Sequence, residues 1–295
     1  MSLVATLVAS PKRRSLSAQL AHRASAAVGA SAIDWLEADV ACDLALPDGA
    51  TALEAERALR LSLSGQPIDV IVQEQATRRR KLLIADMDST MIDQECIDEL
   101  ADEVGIKEHV AAITARSMNG EIAFEPALRE RVALLAGLET NVIDRIIDQR
   151  LTLAAGGREL VATMRAAGAW TALVSGGFET FTGPIAAKLG FDEHRANRLI
   201  VVGGKLSGAV AEPILGRAAK AQALAEISAA RGVTPRDALA VGDGANDLDM
   251  LRMAGAGVAL HAKPVVAAET RMRVDHGDLT ALLFLQGYRR ADFAA

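Results

Sequence analysis

Two aspartates separated by one residue follow directly on an apolar segment. The segment KLLIAD spans residues 81–86, and it brings Asp86 next to Asp88. Carboxylates this close raise each other's pKa and oppose folding unless a positive charge compensates. Mg²⁺ prefers oxygen ligands and typically takes one or two carboxylates together with a substrate phosphate. The pair therefore points to a magnesium site, in which a carboxylate not fully engaged by the ion can act as a nucleophile.

A second acidic stretch, VGDGANDLDM at residues 241–250, supplies Asp243 and Asp247. Asp249 follows two residues later and is left open as a residue that faces solvent. Taken alone, the stretch is typical of an ordinary Gly/Asn/Asp turn, and it lacks the spacing of an EF-hand loop. In combination with the first pair, Asp86, Asp88 and Asp243 predict a site for Mg²⁺.

Residues suited to holding a phosphate group stand between these two stretches. In VSGG, residues 174–177, the Ser175 hydroxyl and the amides of Gly176 and Gly177 are able to cradle phosphate oxygens. Attack of an anion on a phosphate dianion is electrostatically opposed, so positive groups must offset the repulsion. Lys220 lies in a helical pattern where it is suited to that task, although on its own it is more typical of a surface lysine.

Four apolar segments are the predicted strands that position these residues. They are KLLIAD (81–86), WTALVS (170–175), ALAVGD (238–243) and GAGVAL (255–260). Because helical segments alternate with them, we expect right-handed parallel crossovers and an α/β fold with a doubly wound, Rossmann-like sheet. Ligands bind at the carboxyl ends of such strands. The polar residues that follow three of these strands should therefore meet at one edge of the sheet.

The chain between Asp86 and Ser175 is longer than a single crossover helix requires. A helical cap, inserted at about residues 95–155, is therefore predicted to stand over the strand ends. Further on, RLIVVGGKLSGAV (198–210) is typical of a hairpin, in which Gly203 and Gly204 suit a tight primed turn.

Residues 1–76 are predicted to form an α+β module ahead of a core at residues 81–295. The predicted strands are LVATLVAS (3–10), DVACDLALP (39–47) and PIDVIVQ (67–73), and the predicted helices are SLSAQLAHRASAAVG (15–29) and ATALEAERALRLSLS (50–64). The module carries no cluster of catalytic residue types. Between module and core, the basic run Arg78-Arg79-Arg80-Lys81 is predicted to be a solvated linker.

The composition narrows the class of protein. With 295 residues, 51% apolar and 24% charged, the chain is able to bury about two ordinary domains. The net charge of -6 argues against a nucleic-acid partner. Cys42 and Cys96 form no disulfide framework, and MSLVATLVAS precedes its positive charges, the wrong order for a secretory signal. No apolar stretch is long enough to cross a bilayer, so we expect a cytoplasmic protein with no membrane partner.

DMDST (86–90) resembles the DxDxT nucleophile motif of the haloacid dehalogenase-like phosphohydrolases, and VSGG, Lys220 and VGDGANDLDM resemble that family's later motifs in the correct order. The resemblance implies that Asp86 is the nucleophile and Asp88 the general acid and base. It also implies that Mg²⁺ is held by Asp86, the Asp88 backbone carbonyl and Asp243, with Asp247 orienting the groups around the ion. The residues implied to hold the phosphate are Ser175, Gly176, Lys220 and Asn246.

Within that superfamily the sequence is most similar to the phosphoserine phosphatases. The resemblance places Glu95 and Arg131 where that family grips the amino acid, with Met118 and Phe124 as apolar lining. Glu95 would then bind the ammonium group, and Arg131 the carboxylate in a bidentate way. The implied reaction is hydrolysis of O-phospho-L-serine to L-serine and phosphate, the last step of serine biosynthesis. The N-terminal module loosely resembles the ACT-like region of bacterial relatives.

Other interpretations of these residues are left open. Glu95 is also suited to a helix N-terminus, and Arg131 to an exposed ion pair. A phosphotransferase, or a phosphatase for another small phosphomonoester, is the alternative enzyme, with phosphoserine-to-homoserine transfer as one example. A regulatory protein that binds an amino acid through its N-terminal module is the alternative from another class. The expected partner is the small-molecule substrate, and a homodimer is one option for assembly.

Overall fold

The computed structural model describes residues 2–294. Its strands are β1 (Leu3–Ala9), β2 (Ala32–Glu37), β3 (Ala41–Ala45), β4 (Ile68–Glu74), β5 (Leu82–Ala85), β6 (Trp170–Phe178), β7 (Glu193–Asn197), β8 (Leu199–Val202), β9 (Lys205–Val210), β10 (Ala238–Gly242), β11 (Ala256–Leu260) and β12 (Met272–Val274). Its α-helices are α1 (Ala18–Val28), α2 (Ala52–Ser62), α3 (Cys96–Asp102), α4 (Lys107–Met118), α5 (Phe124–Ala133), α6 (Val142–Gln149), α7 (Gly157–Ala166), α8 (Glu179–Leu189), α9 (Arg217–Ala230), α10 (Leu248–Met253), α11 (Pro264–Glu269) and α12 (Ala281–Phe284). Strands and helices alternate after β5, as the sequence pattern predicts.

A six-stranded sheet in the order β12-β11-β10-β5-β6-β7 forms the centre of the core. All five neighbouring pairs are parallel, which confirms the predicted doubly wound α/β fold. The four strands predicted from apolar runs are the four central ones. Strands β7 and β12 lie at the two edges, and their sequences, EHRAN and MRV, have no apolar run.

Alternate residues of the central strands are buried on opposite faces of the sheet. In β5, Leu83 and Ala85 join one apolar cluster with Phe181 of α8, whereas Leu82 and Ile84 join another cluster with helices α9 and α10. Side chains alternate across a strand, so a strand covered by helices on both faces must be apolar throughout. This arrangement explains the unbroken LLIA segment, and it holds the end of β5 rigidly.

Helices α3 to α6 fill the stretch between β5 and β6 that the sequence assigns to a cap. Helix α7 then returns the chain to β6. The β8–β9 hairpin packs beside the cap, where the Gly137 amide donates to the Leu206 carbonyl at 2.8 Å. Gly203 and Gly204 both have positive φ, +60° and +78°, as a primed two-residue turn requires, so the predicted turn is confirmed.

The N-terminal residues form a four-stranded antiparallel sheet in the order β2-β3-β1-β4. One face of this sheet packs against α1 and α2 through residues such as Leu7 and Val70. The predicted strands and helices of this region are present. Strand β2, AIDWLE, lies at an edge and is half exposed, so its pattern gave no clear strand signal.

The other face of the N-terminal sheet packs against the core. Val8 and Ile71 belong to the same buried apolar cluster as Phe284 of α12. Polar residues on this face are also paired across the boundary, since the Gln73 side-chain amide donates to the Leu285 carbonyl at 2.7 Å. The two sheets therefore share one apolar core, while the division at residues 76–81 stays a prediction from the sequence.

The prediction of a solvated basic linker holds for the exposed Arg79 and Lys81 but is wrong for the half-buried Arg78 and Arg80. Arg78 lies 2.6 Å from the Asp43 carboxylate, and the Arg79 guanidinium stacks 3.6 Å from the centre of the Tyr288 ring. Arg80 donates to the backbone carbonyl of Arg236 at 2.7 Å. A planar guanidinium with five donors is able to stack on rings and to bond backbone carbonyl groups, which a charge count along the sequence does not reveal.

Two further predictions concern membrane contact and cysteine pairing. Among the described residues, no helix combines the length and the apolar character needed to span a bilayer. Cys42 and Cys96 are both buried free thiols, in agreement with the prediction that they form no disulfide.

Candidate active site

Asp86 directly follows β5 and is held in place by the neighbouring strand. Its amide donates to the Val241 carbonyl of β10 at 3.0 Å, so the parallel ladder fixes the backbone where the side chain begins. The Asp86 side chain is buried, and its Oδ1 atom lies 2.7 Å from the Lys220 ammonium nitrogen. A buried carboxylate is thus presented at the carboxyl end of the sheet, the usual position of a ligand site in this architecture.

A tight turn after Asp86 positions Asp88. The amides of Thr90 and Met91 both donate to the Met87 carbonyl, and Ser89 adopts a left-handed conformation with φ of +54°. Asp88 Oδ1 accepts a hydrogen bond from the Cys96 amide at 3.1 Å. Burial raises the pKa of Asp88 to about 6; the hydrogen bond from Cys96 opposes the rise and the charge of Asp86 adds to it.

Three carboxylates meet at the ends of β5 and β10. One oxygen from each of Asp86, Asp243 and Asp247 lies within 4.8 Å of the others, and all three residues are buried. Burial raises the pKa of Asp243 to about 8 and that of Asp247 to about 7, and the charges of neighbouring carboxylates contribute to both shifts. Oxygen ligands crowded in this way fit a hard divalent cation such as Mg²⁺.

The individual oxygens of this cluster have different partners. Asp243 Oδ1 accepts from the Thr90 hydroxyl at 3.3 Å, whereas Asp243 Oδ2 is buried without a hydrogen-bond donor. Asp247 Oδ1 accepts from Lys220 at 2.6 Å and its Oδ2 accepts from the Gly244 amide at 3.1 Å. Asp243 thus has a free oxygen for a cation, while both oxygens of Asp247 are engaged by the protein.

Lys220 of α9 is completely buried between Asp86 and Asp247, so the alternative of a surface lysine is wrong. Burial by itself would lower the pKa of Lys220, but the charges of Asp247 and Asp86 more than reverse this effect and raise it. The side chain therefore stays charged and offsets part of the negative charge of the cluster.

The predicted phosphate-binding residues lie near the end of β6. This strand continues to Phe178 with an irregular register after Val174, so it is three residues longer than the predicted strand WTALVS, which ends at Ser175. The Gly177 amide donates to the Ser175 hydroxyl oxygen at 2.9 Å and is therefore already engaged. The Asn197 side-chain amide donates to the Gly176 carbonyl at 2.8 Å and fixes this segment.

The cap approaches the core closely at two glycines. A methyl group in place of the Gly176 hydrogen would lie 2.7 Å from Cζ of Phe124, and one at Gly244 would lie 2.8 Å from Sδ of Met118. A β-carbon would fit at neither position without displacing the end of a cap side chain, so these two glycines allow the cap to approach the strand ends closely. Met118 and Phe124 line the cavity beneath the cap, and their contact with a substrate stays a prediction.

Arg131 of α5 is 2% exposed, which rules out the alternative of an exposed ion pair. Its Nε donates to the Ala127 carbonyl at 3.0 Å, and one terminal nitrogen donates to the Thr114 hydroxyl at 2.9 Å. Burial lowers the pKa of Arg131, and the charge of Glu95 opposes this shift. Two hydrogen bonds thus fix the guanidinium while it borders the cavity.

Glu95 occupies the N-cap position of α3 but its side chain makes no capping hydrogen bond. Instead it accepts from the Ser89 hydroxyl at 2.7 Å. Burial raises the pKa of Glu95, and the charges of Asp88 and Asp243 act in the same direction. Glu95 thus lies near the carboxylates of Asp88 and Asp243, and a positively charged group of a ligand would stabilise these neighbouring acidic side chains.

A single cavity between cap and core collects most of the residues singled out from the sequence. The predicted residues that line it are Asp86, Asp88, Glu95, Met118, Phe124, Arg131, Ser175, Gly176, Asp243 and Asn246. Lys220 and Asp247 do not line it and lie behind Asp86. No donor in the described part of the chain bonds the buried side-chain oxygen of Asn246, so this oxygen is able to accept a hydrogen bond from a ligand.

Sequence reasoning assigned no role to several residues that hold this site. The Thr90 hydroxyl donates to Asp243, and its position as the last residue of DMDST is the feature of the sequence that could have indicated this role. Asn197 fixes Gly176 but is the last residue of the polar edge strand β7, so nothing in the sequence marks it. Thr114 links Arg131 to Asp98, whose Oδ1 accepts from the threonine hydroxyl at 2.7 Å.

Comparisons with known proteins identify the family of the chain. Residues 83–252 match the family model described as haloacid dehalogenase-like hydrolase. The chain is 45% identical over 210 residues to a phosphoserine phosphatase of Albidiferax ferrireducens. That alignment covers 70% of this chain and 89% of that protein. It is 42% identical over 246 residues to a phosphoserine phosphatase of Streptomyces coelicolor, covering 83% of this chain but only 58% of that protein.

A solved structure extends the comparison to the fold. The structure titled as a phospho-aspartyl intermediate analogue of phosphoserine phosphatase matches with a TM-score of 0.67 and 39% identity. The match covers 70% of this chain and 98% of that one. The chain spans less than two thirds of the Streptomyces coelicolor relative, whose remaining length has no counterpart in the alignment.

Proposed function

The chain belongs to the haloacid dehalogenase-like hydrolases, and from that premise we propose that it is a phosphoserine phosphatase, which hydrolyses O-phospho-L-serine to L-serine and phosphate. One observation supports this most directly. A single cavity is lined both by the crowded carboxylates Asp86 and Asp88 and by the oppositely charged pair Glu95 and Arg131. The first pair suits phosphoryl transfer, and the second suits the two charged groups of an amino acid.

Mg²⁺ is the cofactor of the proposed reaction, and the acidic cluster fits it. Asp86, the Asp88 carbonyl and Asp243 are the residues that would hold the ion. Among residues 2–294, no donor bonds the buried Asp243 Oδ2, so this oxygen is available as a ligand. Asp247 would act through its neighbours, because Lys220 and Gly244 already bond both of its oxygens. A bound ion supplies positive charge that offsets the repulsion between carboxylate and phosphate.

The proposed chemistry takes two steps. In the first, an Asp86 oxygen attacks phosphorus; a bond between that oxygen and phosphorus forms while the bond from phosphorus to the serine oxygen breaks. Asp88 donates its proton to the departing serine oxygen. In the second, Asp88 takes a proton from a water molecule, the water oxygen bonds to phosphorus, and the bond to Asp86 breaks. Phosphate leaves, and both side chains return to their starting states.

Recognition of the substrate requires three charged regions. Phosphoserine carries an ammonium, a carboxylate and a phosphate, so its site needs one anionic and two cationic regions. Glu95 provides the anionic region near the ammonium, and Arg131 is able to bind the carboxylate through two parallel hydrogen bonds. Lys220 contributes positive charge on the phosphate side through its contact with Asp86. Met118 and Phe124 close the cavity from the cap.

A panel of small phosphate esters, assayed with Mg²⁺ and with a chelator, tests the proposed function. We expect phosphate release from O-phosphoserine to exceed release from glycerol phosphate or an aryl phosphate by roughly 100-fold in kcat/KM, because only phosphoserine uses both Glu95 and Arg131. Chelation should abolish the activity. A flat profile would contradict the assignment to phosphoserine, and loss of phosphate release with transfer to added homoserine would indicate the phosphotransferase alternative.

Replacing Arg131 with alanine or lysine tests recognition of the carboxylate. We expect kcat/KM for O-phosphoserine to fall roughly 100-fold, because a charged hydrogen-bonded contact of about 2–3 kcal/mol is lost. Hydrolysis of an aryl phosphate, which has no such carboxylate, should change less than about threefold. The Arg131→Lys variant keeps the charge but not the bidentate geometry, so it should resemble the alanine variant.

Arg129→Ala is the matched control, since Arg129 lies on the same helix with its side chain 47% exposed and paired with Glu212. It should leave both substrates unaffected. Equal losses on both substrates in the Arg131 variants would mean that Arg131 supports the cap rather than the carboxylate.

A further inference from the structure

Asp69 of the N-terminal sheet fills an anion-binding loop of the core. Its Oδ1 atom accepts from the Asp275 amide at 2.8 Å, and its Oδ2 atom accepts from the Gly277 amide at 2.8 Å. The His276 amide lies 3.2 Å from both oxygens. Successive backbone amides that point at one anion form a nest, a structure that binds phosphate or carboxylate in many proteins. Here the anion is a side chain of the same protein.

The position of Asp69 in β4 explains how it reaches this loop. Alternate residues of the strand, Asp69, Ile71 and Gln73, lie on the face of the N-terminal sheet that packs against the core. Asp69 is 3% exposed, and no lysine or arginine among residues 2–294 forms a salt bridge with its carboxylate. Burial of a carboxylate without an ion pair is unfavourable unless hydrogen bonds offset it, so the four contacts to the nest are required.

The loop that Asp69 holds also holds His261. The His261 Nε2 atom lies 2.7 Å from the Gly277 carbonyl, one peptide from the amide that Asp69 binds. The His261 amide donates to the Val274 carbonyl at 2.8 Å, and the residue adopts a left-handed conformation with φ of +45°. A non-glycine residue in this conformation needs its surroundings to impose it. The nest therefore fixes the turn after β11.

The turn after β11 in turn contacts the acidic cluster. Lys263, two residues after His261, donates its amide to the Asp243 carbonyl at 3.0 Å. Its ammonium nitrogen lies 3.7 Å from Asp243 Oδ2, the buried oxygen that has no hydrogen-bond donor. Hydrogen bonds and the short backbone segments between them thus connect the N-terminal sheet, through the nest and His261, to the backbone carbonyl of Asp243, a residue of the active site.

We propose that Asp69 is a positioning residue for the active site, which sets the placement of Asp243 by holding the nest, His261 and Lys263. The inference rests on the proposed function only for its activity assay, because cation binding at the acidic cluster is measured without substrate. It assigns the N-terminal sheet a part in building the site, beyond any amino-acid sensing. Without the Asp69 charge, the three amides lose their shared acceptor, and the turn after β11 loses its anchor.

The test compares Mg²⁺ binding and kinetics of Asp69→Asn and Asp69→Ala in the full chain. The Mg²⁺ affinity is obtained by fitting the stabilisation of each variant across a Mg²⁺ titration to RT ln(1 + [Mg²⁺]/Kd). We expect it to weaken about tenfold in Asp69→Asn, which keeps the shape of the side chain, and more in Asp69→Ala. The kcat for phosphoserine should fall by a similar factor while KM changes less than about threefold, because the cap residues that grip the substrate are untouched.

Gln73→Ala is the matched control. Gln73 lies on the same face of the same strand and is 6% exposed, but it bonds Leu285 rather than the nest. It should lower the melting temperature without changing Mg²⁺ affinity. Formate, which fits the vacated nest, should restore Mg²⁺ affinity to Asp69→Ala and leave the unchanged affinity of Gln73→Ala as it is.

Two results would overturn the inference: unchanged Mg²⁺ affinity in both Asp69 variants, or equal losses in Asp69→Asn and Gln73→Ala. If Asp69→Ala does not fold, Asp69→Asn decides the question alone. Failure of the proposed function has a different signature, since the wild-type chain would then show no phosphoserine hydrolysis whatever the Asp69 variants do.

Discussion

Replacing Asp86 with asparagine is expected to lower kcat for O-phosphoserine by a factor on the order of 10⁴ or more, as removal of a covalent nucleophile usually does. The amide has the shape of the carboxylate but cannot form the bond to phosphorus. Folding should be preserved, because Lys220 keeps its second partner, Asp247, at 2.6 Å. The measurements are single-turnover phosphate release and thermal unfolding. A [³²P]-labelled substrate should label the wild-type chain transiently and leave the variant unlabelled.

Asp249→Asn is the control for the Asp86 variant. Asp249 lies in the same acidic stretch as Asp243, but its side chain is 38% exposed and pairs with Arg217. An exposed pair of this kind contributes about 0–1 kcal/mol, so activity should stay within about twofold of the wild type. Substantial turnover by Asp86→Asn would remove Asp86 from the role of nucleophile.

Lys220→Met is expected to be both inactive and strongly destabilised. The ammonium group is completely buried between Asp86 and Asp247, so its loss leaves carboxylates crowded without their cation. Removal of one partner from a buried ion pair typically costs about 3–5 kcal/mol. For a chain of this size, the melting temperature should fall by roughly 10 °C. Saturating Mg²⁺ should recover part of this loss, because a bound cation replaces some of the missing positive charge.

Lys188→Met is the matched control for the same chemical change. Lys188 pairs with Asp148 at 3.1 Å on the surface, with their side chains 40% and 72% exposed. Its loss should change the melting temperature by less than about 2 °C, as for most exposed pairs. If Lys220→Met unfolds at the wild-type temperature, Lys220 is not the counter-ion of the cluster.

The central sheet was predictable because its strands have a simple physical signature. A strand covered by helices on both faces must be apolar along its length, and LLIA and ALAVG have that character. Edge strands such as EHRAN are not under that constraint, so β7 was not recognisable from its sequence. The cytoplasmic location and the homodimer remain predictions from composition and resemblance.

The active site was predictable to the extent that its residues lie at strand ends in recognisable motifs. Asp86, Ser175 and Asp243 each follow an apolar run, and the sheet brings them together. Residues that act through distant contacts leave no such pattern. Asp69 looks like any polar residue in an alternating strand, and its partners at the nest are backbone amides more than 200 positions later.

The face of the N-terminal sheet that packs against the core affects how the chain folds during its translation. The Gly277 amide follows Asp69 by 208 residues. At about 5–20 residues per second, a ribosome needs roughly 10–40 s to cover that distance. Throughout this interval, Val8, Ile71 and the Asp69 carboxylate lack their partners, because the part of the core that covers them has not yet been synthesised. The nascent chain must therefore expose one apolar face of the N-terminal sheet for many seconds, and shielding by a ribosome-bound chaperone should raise the yield of active enzyme.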